Sequence, residues 1–373
     1  MTSETGLLGA SDDVSRARAE RAIAEFRAGR PVRIDGQDAR IAVAGVETLD
    51  LPLATALAAQ ASGAPHLVLP AARLRRLGLE RGVPGRVALH RIDLARVEQL
   101  ALLVEARIDA PVAPVDALDE AALELARLAL TIPAVVVAPL AADAAPDEVI
   151  AVSSDDIVGY RRAQSRHLAI VGRAPVPLEN APESEFVVFR GGEGLRDQVA
   201  IIVGKPSPDR PVPVRLHSAC LTGDLFGSLK CDCGDQLRGT VQWMAENGGG
   251  ILLYLDQEGR GNGIANKMRA YKLQSLGWDT YDADEVLGFD LDQRRFDFAA
   301  NMLKQLGVTS IDIMTNNPLK VAAMREAGLD VVSERRVIGR ATDQNVRYLT
   351  SKRDRAGHAI DADALLASLT AGK

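Results

Sequence analysis

Apolar positions over residues 16–28 recur at helical spacing, with Ala19, Ile23 and Phe26 on one face and Gly29 as a stop, so the pattern predicts an amphipathic helix. Residues 40–46 alternate as a strand does, and Leu67, Val68 and Leu69 form a short buried-strand candidate. Residues 119–130 return to helical spacing, with Asp119 as the expected N-cap. Further along, Leu237, Val241 and Met244 mark a helix over 235–247 that stops at Gly248, Gly249 and Gly250, and 251–255 reads as a buried strand. A helix over 262–276 ends at Gly277, and another over 293–306 turns Phe296, Ala300, Leu303 and Leu306 inward before Gly307. Residues 310–315 read as a strand, Asn317 and Pro318 as an N-cap and first helical position, Gly328 as that helix's end, and 329–332 as a strand. The N-terminal half mixes helical and strand signals and the C-terminal half alternates strand with helix, which predicts an α/β fold class.

A chain of 373 residues suggests two domains. The first lysine is Lys205, all cysteines lie beyond it, and 173–182 holds Pro175, Pro177 and Pro182, as a linker or extended connection would. The boundary is therefore placed near 172, giving domains 1–171 and 172–373. Apolar residues at 47% with 25% charged allow a core and exclude a disordered chain. Aromatics at 4% argue against a base-stacking single-strand binder. A net charge of −6 argues against nucleic-acid or membrane-surface binding, though it permits a local basic pocket. The N-terminal run MTSETGLLGASDD has neither a basic start nor an apolar core, and the apolar stretch 132–140 is too short to span a bilayer, so a cytoplasmic protein is expected.

Three cysteines, all between 220 and 233, make a poor disulfide framework. Cys220, Cys231 and Cys233 instead suit zinc, one per subunit, because thiolates are soft donors and three of them leave a fourth tetrahedral position for water. Zinc lowers the pKa of such a water to about 7. Two other readings stand beside this one: small buried hydrophobes, and a closed structural site completed by His217.

The run Gln257-Glu258-Gly259-Arg260-Gly261-Asn262-Gly263 lies between an expected strand and an expected helix, where backbone N–H groups and Arg260 could cradle phosphate. Arg215, Arg294 and Lys320 sit near strand ends or helix starts, and together with a metal they suit a polyphosphate. Tyr271 follows Lys267 and Arg269; it reads either as an amphipathic packing residue or as a proton donor helped by its cationic neighbours. Asp292 reads either as a helix-dipole residue or as part of that chemistry.

These segments resemble GTP cyclohydrolase II over residues 186–358, through VRLHSACLTGD, LKCDCGDQL, QEGRGNGIANKMRAY, LGFDLDQRRF and TNNPLK, in that order. The resemblance implies a catalytic zinc on Cys220, Cys231 and Cys233. It implies nucleotide contacts at Arg215, Leu216, His217, Ser218, Gln236, Glu258, Gly259, Arg260, Thr280, Thr315 and Lys320. It gives Tyr271 a part in ring opening, Asp292 the part of proton acceptor and Arg294 that of nucleophile toward the α-phosphate. A guanidinium stays protonated, so charge stabilisation is the more conservative role for Arg294. The implied reaction opens the guanine imidazole ring of GTP hydrolytically, releasing formate and pyrophosphate, as in the first step of riboflavin biosynthesis. Magnesium on the phosphates and a homodimer are implied too.

Two positions depart from the family pattern: Ala219 stands where glutamate is usual, and Asp256 where arginine is usual. They leave open a uracil-nucleotide hydrolase of a related branch; a further class, independent of them, is an inactive nucleotide binder with structural zinc. The N-terminal half resembles 3,4-dihydroxy-2-butanone 4-phosphate synthase in AIAEFRAGRPVRI and LVLPAARLRRLGL. That family's dense acidic run is missing here, where the chain reads Asp35-Gly36-Gln37-Asp38-Ala39-Arg40, so a non-catalytic remnant is expected.

Overall fold

The computed structural model describes residues 11–143, 148–192, 196–207, 209–290, 294–337 and 339–340, with scattered positions from 342 to 357. The chain forms two compact units. The first comprises Met1–Ala163, Met268–Leu276 and Asp282–Gln293; the second comprises Gln164–Lys267, Gly277–Tyr281 and Arg294–Lys373. Both are mixed α/β.

In the first unit, β1 (Val32–Asp35), β2 (Arg40–Gly45), β3 (His66–Leu69), β4 (Gly85–Ala88), β5 (Val135–Leu140) and β6 (Ala151–Ser153) make one sheet in the order β4-β3-β5-β2-β1-β6. All its pairs are antiparallel except β1 with β6. The helix Ser11–Arg27 buries Ala19, Ala22, Ile23 and Phe26, the face read from the sequence plus one alanine, and Gly29 follows at φ +84°. The helix Ala117–Leu128 is capped by Asp116, whose side chain accepts from Leu118 N and Asp119 N. Asp119 is therefore not the N-cap; it closes a capping box from the third helical position. Its carboxylate, 1% exposed, also holds His66 Nε2 at 2.7 Å, so the same side chain fixes β3.

In the second unit, β7 (Ala169–Pro175), β8 (Ser184–Arg190), β9 (Gln198–Val203), β10 (Val212–Ser218), β11 (Gly250–Leu255), β12 (Ser310–Met314) and β13 (Asp330–Arg335) form a sheet in the order β13-β12-β10-β11-β9-β8-β7. The stretch 173–182 is extended rather than loose, because β7 pairs antiparallel with β8 and Leu178 bridges Ala181. β13, β12, β10 and β11 run parallel, and the crossover from β10 to β11 includes the helix Cys233–Glu246. Val214, Leu216, Ile251, Leu253, Ile311 and Ile313 are buried on these strands against Phe298, Met302 and Leu303 of the helix Asp297–Gln305. That helix begins later than the apolar spacing suggests: Phe296 is its N-cap residue, and Arg295 pairs with Asp297 at 2.7 Å. Pro318–Glu326 starts as read, with Asn317 Oδ1 accepting from Leu319 N at 2.9 Å. A helix at Thr280–Val286 carries no apolar spacing that would have announced it.

Because three adjacent strands run parallel, the segments leaving β10, β11 and β12 emerge at the same, carboxyl, edge of the sheet. Such edges are where open α/β sheets place ligands. Cys220, Glu258 and Thr315 all sit on those segments.

Candidate functional site

Cys220 follows β10 directly, Cys231 lies in the turn ahead of the next long helix, and Cys233 begins that helix. Their sulfurs lie within 4.8 Å of one another, with Cys220 Sγ 3.6 Å from Cys231 Sγ. Among the described residues this trio is the one group of histidine, cysteine or acidic side chains close enough to share a metal ion. Two glycines make the closeness possible. A Cβ at Gly223 would lie 2.7 Å from Cys231 Sγ and 3.1 Å from Cys220 Sγ, and one at Gly234 would lie 2.2 Å from the carbonyl oxygen of Gly223. The soft donor set and this close cradle both fit a thiophilic ion.

The thiols are electrostatically unequal. Hydrogen bonds from Cys231 and Cys233, with the Lys267 ammonium alongside, hold the Cys220 thiol far below its ordinary range; its neighbour Cys231 is pushed up to about 11 by that thiolate. Lys267 Nζ donates to Cys220 Sγ at 3.1 Å, to Thr222 Oγ1 at 3.1 Å and to Glu258 Oε1 at 2.8 Å. The other Glu258 oxygen accepts from Leu221 N at 2.6 Å, so this glutamate braces the loop that carries Cys220.

His217 does not complete a four-ligand cage. Its Nε2 sits 3.1 Å from Asp224 Oδ1, it stacks on Tyr254 with ring centroids 5.7 Å apart, and its Nδ1 is buried without a partner. Burial keeps the imidazole pKa below its ordinary value against the opposing pull of Asp224. Asp224 is the hub, since it also accepts from Cys220 N at 2.9 Å and from Tyr254 OH at 3.0 Å.

The expected nucleotide contacts gather around the same strand edge. Buried Arg215 donates to Met314 O at 3.0 Å and to Gln236 Oε1 at 2.6 Å, and desolvation lowers its pKa to about 10. Lys320, also buried, donates to Leu216 O at 2.7 Å. Arg294 Nη1 reaches Ser218 Oγ at 3.3 Å, and Ser218 Oγ reaches Gln257 Oε1 at 3.3 Å. Thr315 Oγ1 accepts from Asn317 N at 3.0 Å. The glycine-rich turn is a 3₁₀ segment, Glu258–Gly261, in which Gly259 (φ 62°) and Arg260 (φ 60°) both adopt the left-handed region. A non-glycine residue there is strained, and Arg260 is held with its guanidinium 4.0 Å over the Tyr281 ring.

The remaining expected residues are placed by their elements. Tyr271 is half-buried on the part of the helix Gly263–Ser275 that belongs to the first unit, and Thr280 opens the helix Thr280–Val286. Asp292 lies outside the described residues. Asp224, Lys267 and Tyr254 were not singled out as site residues by the sequence, although Asp224 and Lys267 stand inside the motifs LTGD and NKMRAY. The departure at 256 is answered locally: Arg196 Nη1 donates to Asp256 Oδ1 at 2.9 Å and to its carbonyl at 2.8 Å.

Three converging thiols that could hold a metal ion, beside buried arginine and lysine side chains at the carboxyl edge of parallel strands, are the arrangement of a metal-dependent enzyme class that takes anionic substrates. The family profile for GTP cyclohydrolase II matches residues 169–336. GTP cyclohydrolase-2 of Xylella fastidiosa strain 9a5c is 47% identical over 94% of this chain and 89% of its own length. GTP cyclohydrolase-2 of Azospirillum brasilense is 38% identical over 93% of this chain and 95% of its own. Among solved structures, RibBX, a two-domain 3,4-dihydroxy-2-butanone 4-phosphate synthase from A. baumannii, aligns with 86% of this chain and 99% of its own at a TM-score of 0.34 and 17% identity. The chain belongs to the GTP cyclohydrolase II family, and it is a hydrolase.

Proposed function

We propose that this chain hydrolyses GTP at the guanine imidazole ring, releasing formate and pyrophosphate, as the entry step to riboflavin. The observation that carries this reading is the cysteine trio in its glycine cradle, braced by Lys267 and Glu258 beside buried Arg215 and Lys320. Cys220, Cys231 and Cys233 would hold one zinc ion, which when bound supplies a Lewis acid and a water acidic enough to react at neutral pH.

The chain's own groups do the rest. Arg215, Leu216, His217 and Ser218, with Gln236, Thr280 and Thr315, orient the nucleotide; Glu258, Gly259 and Arg260 receive phosphate and purine; Lys320 adds a fixed cation. Tyr271 hands over or accepts a proton during ring opening, and Asp292 accepts one. Arg294 stabilises charge at the α-phosphate, since a guanidinium that keeps its proton is a poor nucleophile. Magnesium neutralises the phosphates, and the working form is a cytoplasmic homodimer. No described helix is long and apolar enough to cross a membrane.

Residues 1–171 form a remnant of a 3,4-dihydroxy-2-butanone 4-phosphate synthase domain without its chemistry, and 172–373 the hydrolase domain. In support, Asp35 faces two cations, Arg33 at 3.0 Å and Arg40 at 3.9 Å. The test is side-by-side turnover of GTP and UTP. Formate from GTP alone upholds the reading; UTP consumption without formate, or no turnover of either by zinc-loaded protein, refutes it.

A further inference from the structure

Two stretches from beyond residue 260 belong to the first compact unit, and polar side chains of the N-terminal half grip both. Arg269 Nη1 and Nη2 donate to Glu47 Oε1 and Oε2, each at 2.9 Å, a fork-to-fork pair. Glu47 is itself held, because its Oε1 accepts from the backbone N–H of Ile132. Arg73, 1% exposed, donates to Val286 O at 3.0 Å and turns its other nitrogens to the carbonyls of Leu100, Gln99 and Leu103. Arg75 pairs with Glu285 at 2.9 Å.

The first of these stretches carries Tyr271; the second leads in sequence to Asp292 and Arg294. On the helix Gly263–Ser275, Lys267 is fixed to Glu258 and Cys220, Arg269 to Glu47, and Tyr271 comes two residues later. Steps of two residues turn about 200° around a helix axis. Holding Lys267 and Arg269 on opposite sides therefore fixes the rotation of the turn that bears the tyrosine. The Arg269 side chain is 39% exposed, and a pair of that kind adds little stability. What a bidentate pair does add is geometric definition.

We propose that Glu47 is a positioning residue for the hydrolase: by clamping Arg269 it sets the orientation of Tyr271, so that the N-terminal half, without chemistry of its own, governs turnover. This rests on the ring-opening reading above. Effective catalysis is sensitive to misplacement of about 1 Å, which costs on the order of a hundredfold.

The experiment compares the full-length zinc-loaded enzyme with Glu47→Gln, with Arg269→Glu, and with the reversed pair Glu47→Arg plus Arg269→Glu. It reads kcat and KM for GTP, zinc content, melting temperature, and amide hydrogen exchange over residues 268–276. The expected result for Glu47→Gln is a kcat lower by about ten- to a hundredfold, with KM, zinc content and melting temperature nearly unchanged and exchange over 268–276 faster. The reversed pair should recover part of both kcat and protection. Native kcat and native exchange in Glu47→Gln overturn the proposal, as does a kcat loss that merely follows lost zinc or lost fold and is not recovered by the reversed pair. Should the native enzyme release no formate from GTP, the ring-opening reading fails by itself. The exchange rates then decide the clamp: unchanged protection in Glu47→Gln ends it, and faster exchange upholds it.

Discussion

The ammonium of Lys267 lies 3.1 Å from the sulfur of Cys220 although 47 residues separate them in sequence. It is a neighbour of the proposed metal ligands, not one of them. Groups in that position orient ligands and stabilise their charged form, and losing one costs about 10–100-fold in metal affinity. Lys267→Met is accordingly expected to weaken zinc binding by about that factor while leaving the three sulfurs in place. Competition with a calibrated chelator checks it; an affinity within twofold of the native protein would show that the lysine matters only to Glu258.

Gly223→Ala places a methyl carbon 2.7 Å from Cys231 Sγ, closer than packing allows, so metal content and activity should fall together. Gly239→Ala is the control. It lies in the helix Cys233–Glu246, a Cβ there meets nothing within 4 Å, and helix propensity favours alanine by about 1 kcal/mol. Metal analysis and thermal melts of the two variants should diverge in opposite directions.

His217 gives the protein an acid sensitivity whose sign can be worked out. Its folded-state pKa is depressed by burial, so below about 6.5 the unfolded chain takes up a proton that the folded chain resists. Stability is therefore full above that pH and is lost as pH falls toward the depressed value. His217→Gln should flatten this part of the stability curve in metal-free protein, measured by urea unfolding between pH 7 and pH 5 (about the window set by). An equally steep curve in the variant would place the sensitivity elsewhere.

The N-terminal sheet should turn over no ribulose 5-phosphate in the presence of magnesium, because Asp35 is tied to Arg33 and the neighbouring positions supply no carboxylate cluster. Detection of the butanone phosphate above background would revive that activity.

Legibility followed the range of the interactions. The faces of Ser11–Arg27 and Cys233–Glu246 and the Asn317 cap were readable because spacing and capping act within a few residues. The cap of Ala117–Leu128 was misread by three positions, because Asp116 and Asp119 form one reciprocal box and either alone looks like a cap. The cysteine trio was readable from composition, but its brace was not. Lys267 meets Cys220 across 47 residues, and Glu47 meets Arg269 across 222, so neither pair leaves a local signal in the sequence. The altered residue Asp256 looked like a reversed charge in the sequence; the fold supplies Arg196 as its partner from 60 residues away.

The central claim is a three-sulfur metal site whose fourth position belongs to solvent. Zinc K-edge absorption spectroscopy on active, full-length enzyme tests it directly. The account predicts three sulfur neighbours at about 2.3 Å and one light oxygen neighbour at about 2.0 Å. A light neighbour traceable to His217 in place of that oxygen, through its loss in His217→Gln, or full formate release from protein that contains no metal, would contradict it.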